Sequence, residues 1–163
     1  MSTFENDNYK WRETYFVLFD SSRRPALDKL TKSLTRLNPR FELVNPTEDI
    51  DGRFESVTIR SPQDYAALDI SYLSGEEVNE QGVELSLEMK PYATEPDEKQ
   101  KLARLPECDA RLDILHFEQL GASTANEPED DAMLDPGALL LVLDALVDLT
   151  GGVGVDPQSG TIV

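Results

Sequence analysis

The side chains that could perform nucleophilic or acid–base chemistry are few, and they gather near residue 116. The chain has one histidine, His116, and one cysteine, Cys108. Glu118 follows the histidine by two residues, so on a strand both project from the same side. Imidazole, carboxylate and thiolate are the groups of acid–base and nucleophilic sites, which makes these three the candidate reactive residues.

A structural role for the histidine is nevertheless favoured. His116 shares its strand face with Leu112 and Ile114, which is typical of a partly buried residue. A zinc site needs three or four ligands, usually at close spacing, and no such spacing occurs around the histidine. A Cys–His pair would require a tertiary contact that spacing does not predict. We therefore predict no catalytic residue, no cofactor and no metal.

Three glycines near the C-terminus do not form the pattern of a nucleotide-binding loop. Gly151, Gly152 and Gly154 follow a predicted helix and precede a predicted strand. The dinucleotide fingerprint has the opposite order, because its glycines follow a strand and open a helix. The pattern favours a left-handed helix cap.

The sequence Asp-Ile-Asp-Gly at residues 49–52 resembles the middle of a calcium-binding loop. When Gly52 is aligned with the sixth loop position, Thr47 and Thr58 take the first and twelfth positions. Both positions should be acidic, and the twelfth should supply a bidentate carboxylate. We interpret the segment as an ordinary acidic turn.

Charge is distributed unevenly along the chain, whose formal net charge is −17. Residues 1–40 carry a net charge of +3 and residues 41–163 a net charge of −20. The candidate interaction residues are a basic group around the first predicted helix and an acidic group in a later loop: Arg23, Arg24, Lys29, Lys32 and Arg36, with Arg40 nearby, and Glu127, Glu129, Asp130 and Asp131.

These charges bear on the class of partner. Basic residues without interleaved aromatics, on so acidic a chain, make a poor nucleic-acid site. The longest apolar run, residues 138–143, is far shorter than the roughly 20 residues of a membrane span. We therefore predict no nucleic-acid or membrane partner, and expect either a basic protein partner or self-association.

Length and termini predict one domain of 163 residues in the cytoplasm. A single cysteine excludes an internal disulfide framework, and no apolar signal segment opens the chain. We expect residues 1–13 to be a flexible N-terminus and residues 121–133 to be a mobile acidic loop.

Hydrophobic periodicity predicts a mixture of strands and helices. The first strand is almost continuously apolar, which indicates a central strand covered on both faces. Residues 76–90 fit both a helix and a strand; acidic residues in the first turn favour the helix slightly, and Gly82 counts against it. The predicted strands are 15–20, 40–44, 54–60, 65–73, 111–117, 153–155 and 161–163, and the other predicted helices are 25–37, 99–105 and 138–149.

This order lacks the strict strand–helix alternation of a doubly wound sheet. It predicts an α+β two-layer sandwich, with a mixed or mostly antiparallel sheet and helices packed on one face. A ferredoxin-like core with additions is one way to build it.

Three functional hypotheses remain open at the level of the sequence. The thin set of reactive residues and the uneven charge favour a small, acidic, non-enzymatic protein-interaction module. A carboxylate-based enzyme or a divalent-cation-dependent hydrolase is the alternative, and it requires convergent acids of raised pKa in a deep pocket. The third hypothesis is that the acidity reflects adaptation to a saline environment alone.

Overall fold

The computed structural model describes residues 8–62, 65–119 and 137–163, and these form one antiparallel sheet with helices on both of its faces. The strand order is β2-β3-β4-β5-β1-β6-β7, and every pair of neighbouring strands is antiparallel. The α+β class with a mostly antiparallel sheet is thus confirmed, whereas a ferredoxin-like core stays a prediction. The strands are β1 Tyr9–Phe19, β2 Glu42–Glu48, β3 Phe54–Ser61, β4 Ala66–Ser74, β5 Ala110–Gln119, β6 Val153–Asp156 and β7 Thr161–Ile162; the helices are α1 Leu27–Leu37, α2 Glu76–Met89, α3 Pro96–Arg104 and α4 Gly137–Thr150.

Strand β1 is covered on both faces, as its continuous apolar sequence predicts. Val17 and Phe19 lie in one core cluster with residues of α1 and α4. Leu18, which points the opposite way, lies in a second cluster with residues of α2 and α3. The prediction that the helices pack on one face therefore holds for α1 and α4 only. Helices α2 and α3 cover the apolar side chains of β1 and β6 on the other face.

Helix α1 carries the predicted apolar stripe, and Leu30 and Leu34 are fully buried on it. It begins at Leu27 rather than at Pro25 because the preceding backbone pairs with strand β3. The Phe54 amide donates to the Pro25 carbonyl at 2.9 Å, and the Leu27 amide donates to the Gly52 carbonyl at 2.9 Å. The start of α1 is thereby fixed beside the start of β3.

The ambiguous segment 76–90 is a helix, α2, over residues 76–89. Val78, Gly82, Leu85 and Met89 face the core, and this helical spacing places them in one stripe. Gly82 is required by the packing: a Cβ at this position would lie 2.4 Å from the carbonyl oxygen of Leu105. Gly82, which counts against a helix in the sequence, therefore permits the close approach of α2 to the turn at Leu105.

Strands β1 and β2 extend well beyond their predicted bounds. Strand β1 starts at Tyr9 and pairs with β5 from there, and the flexibility expected of residues 1–13 stays a prediction. Strand β2 continues to Glu48 across an irregularity at Asn45, whose φ is +50°. Residues 1–7 and the predicted mobile loop 121–133 lie outside the described residues.

The C-terminal glycine cap and hairpin are confirmed. Gly151 has a φ of +65° immediately after α4, and the Gly152 amide donates to the Val147 carbonyl at 3.2 Å. The β6–β7 turn closes through a bond from the Gly160 amide to the Asp156 carbonyl, at 2.9 Å. Gly151 and Gly152 thus follow a helix and precede a strand, in the order that the sequence predicts.

Candidate functional site

His116 lies on β5 opposite Glu13 of β1, on the face covered by α1 and α4. Its side chain is buried, and its Nδ1 atom lies 3.6 Å from Glu13 Oε1 without a hydrogen-bond partner. Burial lowers the pKa of His116, and the nearby Glu13 carboxylate only partly opposes this shift. The arrangement is a neutral imidazole held beside a carboxylate. Sequence reasoning missed Glu13, because cross-strand register between distant segments leaves no local signal.

The other two reactive candidates do not complete a site with the histidine. Glu118 lies 3.4 Å from the guanidinium of Arg12, in an ion pair that is partly exposed. Cys108 precedes β5, eight residues from His116, which corresponds to about 26 Å along extended chain. Burial raises the pKa of the Cys108 thiol to about 11, and Sγ donates to the Arg104 carbonyl at 3.4 Å. A Cys–His pair is therefore excluded by distance, and this thiol is protonated at neutral pH.

No metal-binding cluster occurs in residues 8–62, 65–119 and 137–163, and the carboxylate pKa shifts there are downward. Within these ranges no group of three or more His, Cys, Asp or Glu side chains is placed to hold a metal ion. The pKa values of Asp20 and Asp49 are lowered, chiefly by hydrogen bonds from the backbone amides of Ser22 and Arg53. A general acid at neutral pH needs a shift in the opposite direction.

An acidic groove lies beside helix α2. Its volume is about 370 Å³, and it lies between the helix and the neighbouring ends of β4 and β5. Glu77, Glu80 and Glu84 line it at i, i+3 and i+7, a spacing that places all three on one helix face. Leu73, 42% exposed, and Arg111 form the opposite wall. We call these five residues the α2 groove.

The charge balance of the groove is negative. Arg111 is held by Asp113, whose Oδ1 lies 2.5 Å from Nε, by the side chain of Gln81, and by the ring of Phe16, 4.4 Å from its guanidinium. The three groove glutamates make no ion pair with any residue that the structure describes. The groove thus offers unpaired carboxylates and an apolar wall to a ligand from solution.

Exposed apolar side chains extend this surface along α2. Val83 is 39% exposed and Leu87 is 67% exposed on the outer face of the helix, and Tyr92, 78% exposed, follows its C-terminal end. Glu76 and Glu88 lie at the two ends of the same helix and are also exposed. The exposed face of α2 thus combines apolar side chains with carboxylates.

Two of the five basic candidates are neutralised within the molecule. Arg24 lies 3.1 Å from Asp49, donates to the Phe54 carbonyl at 2.9 Å and stacks on the Tyr72 ring at 3.9 Å. Lys32 lies 3.0 Å from Asp28, one turn earlier in α1. Arg24 is therefore a structural residue that ties the start of α1 to β3 and β4.

The remaining basic candidates stay available to solvent. Arg23, Lys29 and Arg36 are exposed, and none of them forms an ion pair with a described residue. Arg23 and Lys29 line a common pocket beside the start of α1, whereas Arg36 lies in the last turn of the helix. The acidic candidates Glu127, Glu129, Asp130 and Asp131 lie outside the described residues.

Comparison of the chain with protein-family models, with curated proteins and with solved structures finds no match. Across the described part of the chain, no helix has the length and apolar character needed to cross a membrane. The site geometry is therefore the basis on which a function can be argued.

Proposed function

We propose that this chain is a non-enzymatic protein-interaction module that binds a basic segment of a partner protein along the α2 groove. The observation that carries the proposal is the unpaired set Glu77, Glu80 and Glu84 beside the exposed Leu73. A lysine or arginine of the partner can lay its methylene groups on the leucine and place its charge among the glutamates. Exposed Val83 and Leu87 provide apolar contacts next to this charged part.

A row of glutamates destabilises helix α2, and this loss of helix stability supports a binding role for the row. Glu76, Glu80, Glu84 and Glu88 follow one another at four-residue intervals, and like charges at this spacing destabilise a helix by a few tenths of a kcal/mol per pair. Helix stability alone would favour lysine at some of these positions. A basic partner relieves the repulsion when it binds.

The alternative of a carboxylate-based enzyme or a divalent-cation-dependent hydrolase has no comparable support in the described residues. The α2 groove is open to solvent, and no metal-binding cluster accompanies it there. We therefore argue only the interaction function.

Binding can be tested with a short fluorescein-labelled peptide rich in lysine with interspersed leucine, titrated with the full chain and followed by anisotropy. The double variant Glu80→Gln/Glu84→Gln should bind this peptide roughly five- to thirtyfold more weakly, because each partly exposed ion pair contributes about 0.5–1 kcal/mol. The affinity of the unaltered chain should fall as salt screens these pairs.

A matched control is Asp144→Asn/Asp148→Asn on α4. These two carboxylates are also four residues apart on an exposed helix face, but α4 covers the opposite face of the sheet. This control should bind within about twofold of the unaltered chain, since rim and remote charges change affinity little. Equal weakening in both double variants would mean that the peptide responds only to net charge, and the proposal would fail.

The apolar contribution is separable from the charge. Leu87→Ser keeps the net charge and removes the most exposed apolar side chain of α2. It should weaken peptide binding severalfold while leaving the salt dependence of the affinity unchanged. An unchanged affinity would restrict the docking surface to the groove itself.

A further inference from the structure

A pocket lined by four cations and no acid lies beside the start of α1. Its volume is about 390 Å³, and the cations are Arg23, Arg24, Lys29 and Arg53. Pockets of this size accept small molecules. On a chain of net charge −17, such a concentration of positive side chains calls for an explanation.

Among the residues that the structure describes, only Arg24 of these cations has an ion-pair partner. Arg24 is paired with Asp49, and Arg53 donates to the Arg24 carbonyl at 2.6 Å, which fixes its position without neutralising it. Arg23 lies against the Gly151 turn, where an added Cβ would approach its Nε to 3.1 Å. Lys29 is exposed on α1.

Three cations therefore converge without an acid at ion-pair distance in the part of the chain that the structure describes. Asp20 and Asp49 lie close enough to Arg23 and Arg53 to act on them electrostatically, but neither carboxylate lines the pocket. Mutual repulsion among Arg23, Lys29 and Arg53 is a cost that an anion in the pocket would remove.

We infer that this pocket binds the phosphate group of a small molecule, either free phosphate or a phosphate monoester. Arginine guanidinium groups match the geometry of phosphate oxygens, and lysine adds a point charge. Pro25 and Leu149 also line the pocket and can contact an apolar group attached to the phosphate. The strongly negative molecule repels an extended polyanion such as nucleic acid at long range, whereas a small anion needs only the local field of the pocket.

The test is a titration of the ¹⁵N-labelled full chain with orthophosphate and with phenyl phosphate at constant ionic strength, followed by amide chemical shifts. Saturable shifts should appear at residues 22–24 and 26–29 and at Arg53, with half-saturation at about 1 mM, as expected for a few partly exposed contacts. Tighter binding of phenyl phosphate identifies the monoester as the better ligand, and equal binding identifies the phosphate group alone. The absence of saturable shifts with both compounds would overturn the inference.

Matched double variants separate a pocket from general charge. Arg23→Gln/Lys29→Gln should weaken phosphate binding at least about tenfold, because both side chains line the pocket. Arg36→Gln/Arg40→Gln removes the same charge from exposed residues at the other end of α1 and should change binding by less than about twofold. Equal losses in the two variants would refute a defined site. Neither variant touches the α2 groove, so this result is independent of peptide binding.

Discussion

At the residue scale, burial and a neighbouring carboxylate together set the pKa of His116. An imidazole is the obvious candidate for acid–base catalysis, yet this one is 7% exposed and its Nδ1 lacks a hydrogen bond. Desolvation opposes its positive charge, and Glu13 at 3.6 Å favours that charge. Because the pKa falls below its ordinary value of 6.5, desolvation is the stronger influence.

This lowered pKa predicts a dependence of stability on pH. Below pH 6.5, His116 binds a proton in the unfolded chain before it does so in the folded chain. The free energy of unfolding should therefore fall as the pH is lowered from 6.5 to the pKa of His116 in the folded state. The slope from this group can reach at most about 1.4 kcal/mol per pH unit, the value for one full proton. Urea unfolding at several pH values measures it, and His116→Gln should remove this part of the slope.

The single histidine also permits a direct measurement. Its ring protons should give one NMR titration curve with a midpoint below 6.5. A midpoint at or above 6.5 would contradict the dominance of burial, and it would show that the Glu13 carboxylate controls the charge of the imidazole.

The alternation of β5 was sufficient to predict that His116 shares a face with Leu112 and Ile114 and is partly buried, although the side chain is more deeply buried than that. It could not predict Glu13, because the two residues are 103 positions apart and meet only after β1 pairs with β5. The bulge of β1 between Trp11 and Glu13 sets this register, and no turn or repeat in the sequence indicates the bulge. Partners across a sheet are therefore the part of the site that sequence patterns omit.

At the element scale, the packing of α2 depends on the absence of a side chain at Gly82. Glycine to alanine in a helix interior usually stabilises a protein by about 0.5–1 kcal/mol. Here the new Cβ would lie 2.4 Å from the backbone oxygen of Leu105. We expect Gly82→Ala to lower the free energy of unfolding by about 1–3 kcal/mol, as overpacking does.

Chemical denaturation of the Gly82→Ala variant measures this change, and Val83→Ala is the neighbouring control. Val83 is 39% exposed, so its truncation should alter stability by less than about 1 kcal/mol. A stabilised Gly82→Ala protein would show that α2 can move away from Leu105 without loss.

Helix existence was predictable where one stripe dominates, as in α1 with Leu30 and Leu34. It was ambiguous in α2, because the glycine that argues against a helix in isolation is needed where the helix crosses the turn at Leu105. The same limit applies to the face that α2 covers, since the continuously apolar β1 calls for cover on both faces without indicating which helix supplies it. Contacts between elements decide both questions, and a sequence shows them only indirectly.

At the scale of the whole molecule, the two charged sites lie at one end of the sheet. The α2 groove is formed where β4 ends and β5 begins, and the cation pocket lies where β1 ends and β3 begins. Asp109 connects the two regions: its carboxylate accepts from Ser21 N at 2.7 Å and Oγ at 2.8 Å, and its carbonyl accepts from Gly75 N at 3.0 Å. This end of the sheet therefore carries an acidic region at the α2 groove and a basic region at the cation pocket.

The salt dependence of stability distinguishes a concentrated acidic surface from one that is evenly acidic. Repulsion at a net charge of −17 destabilises the folded chain, so the free energy of unfolding should rise between low and molar sodium chloride.

Unfolding curves of the two double variants, Glu80→Gln/Glu84→Gln and Asp144→Asn/Asp148→Asn, measure where that repulsion resides. The α2 variant should be more stable than the unaltered chain at low salt and gain less from added salt, because it relieves repulsion within a row of glutamates. If acidity served only adaptation to saline solvent, both variants would change equally. Stability that does not respond to salt would contradict both interpretations, since it would mean that self-repulsion contributes nothing measurable.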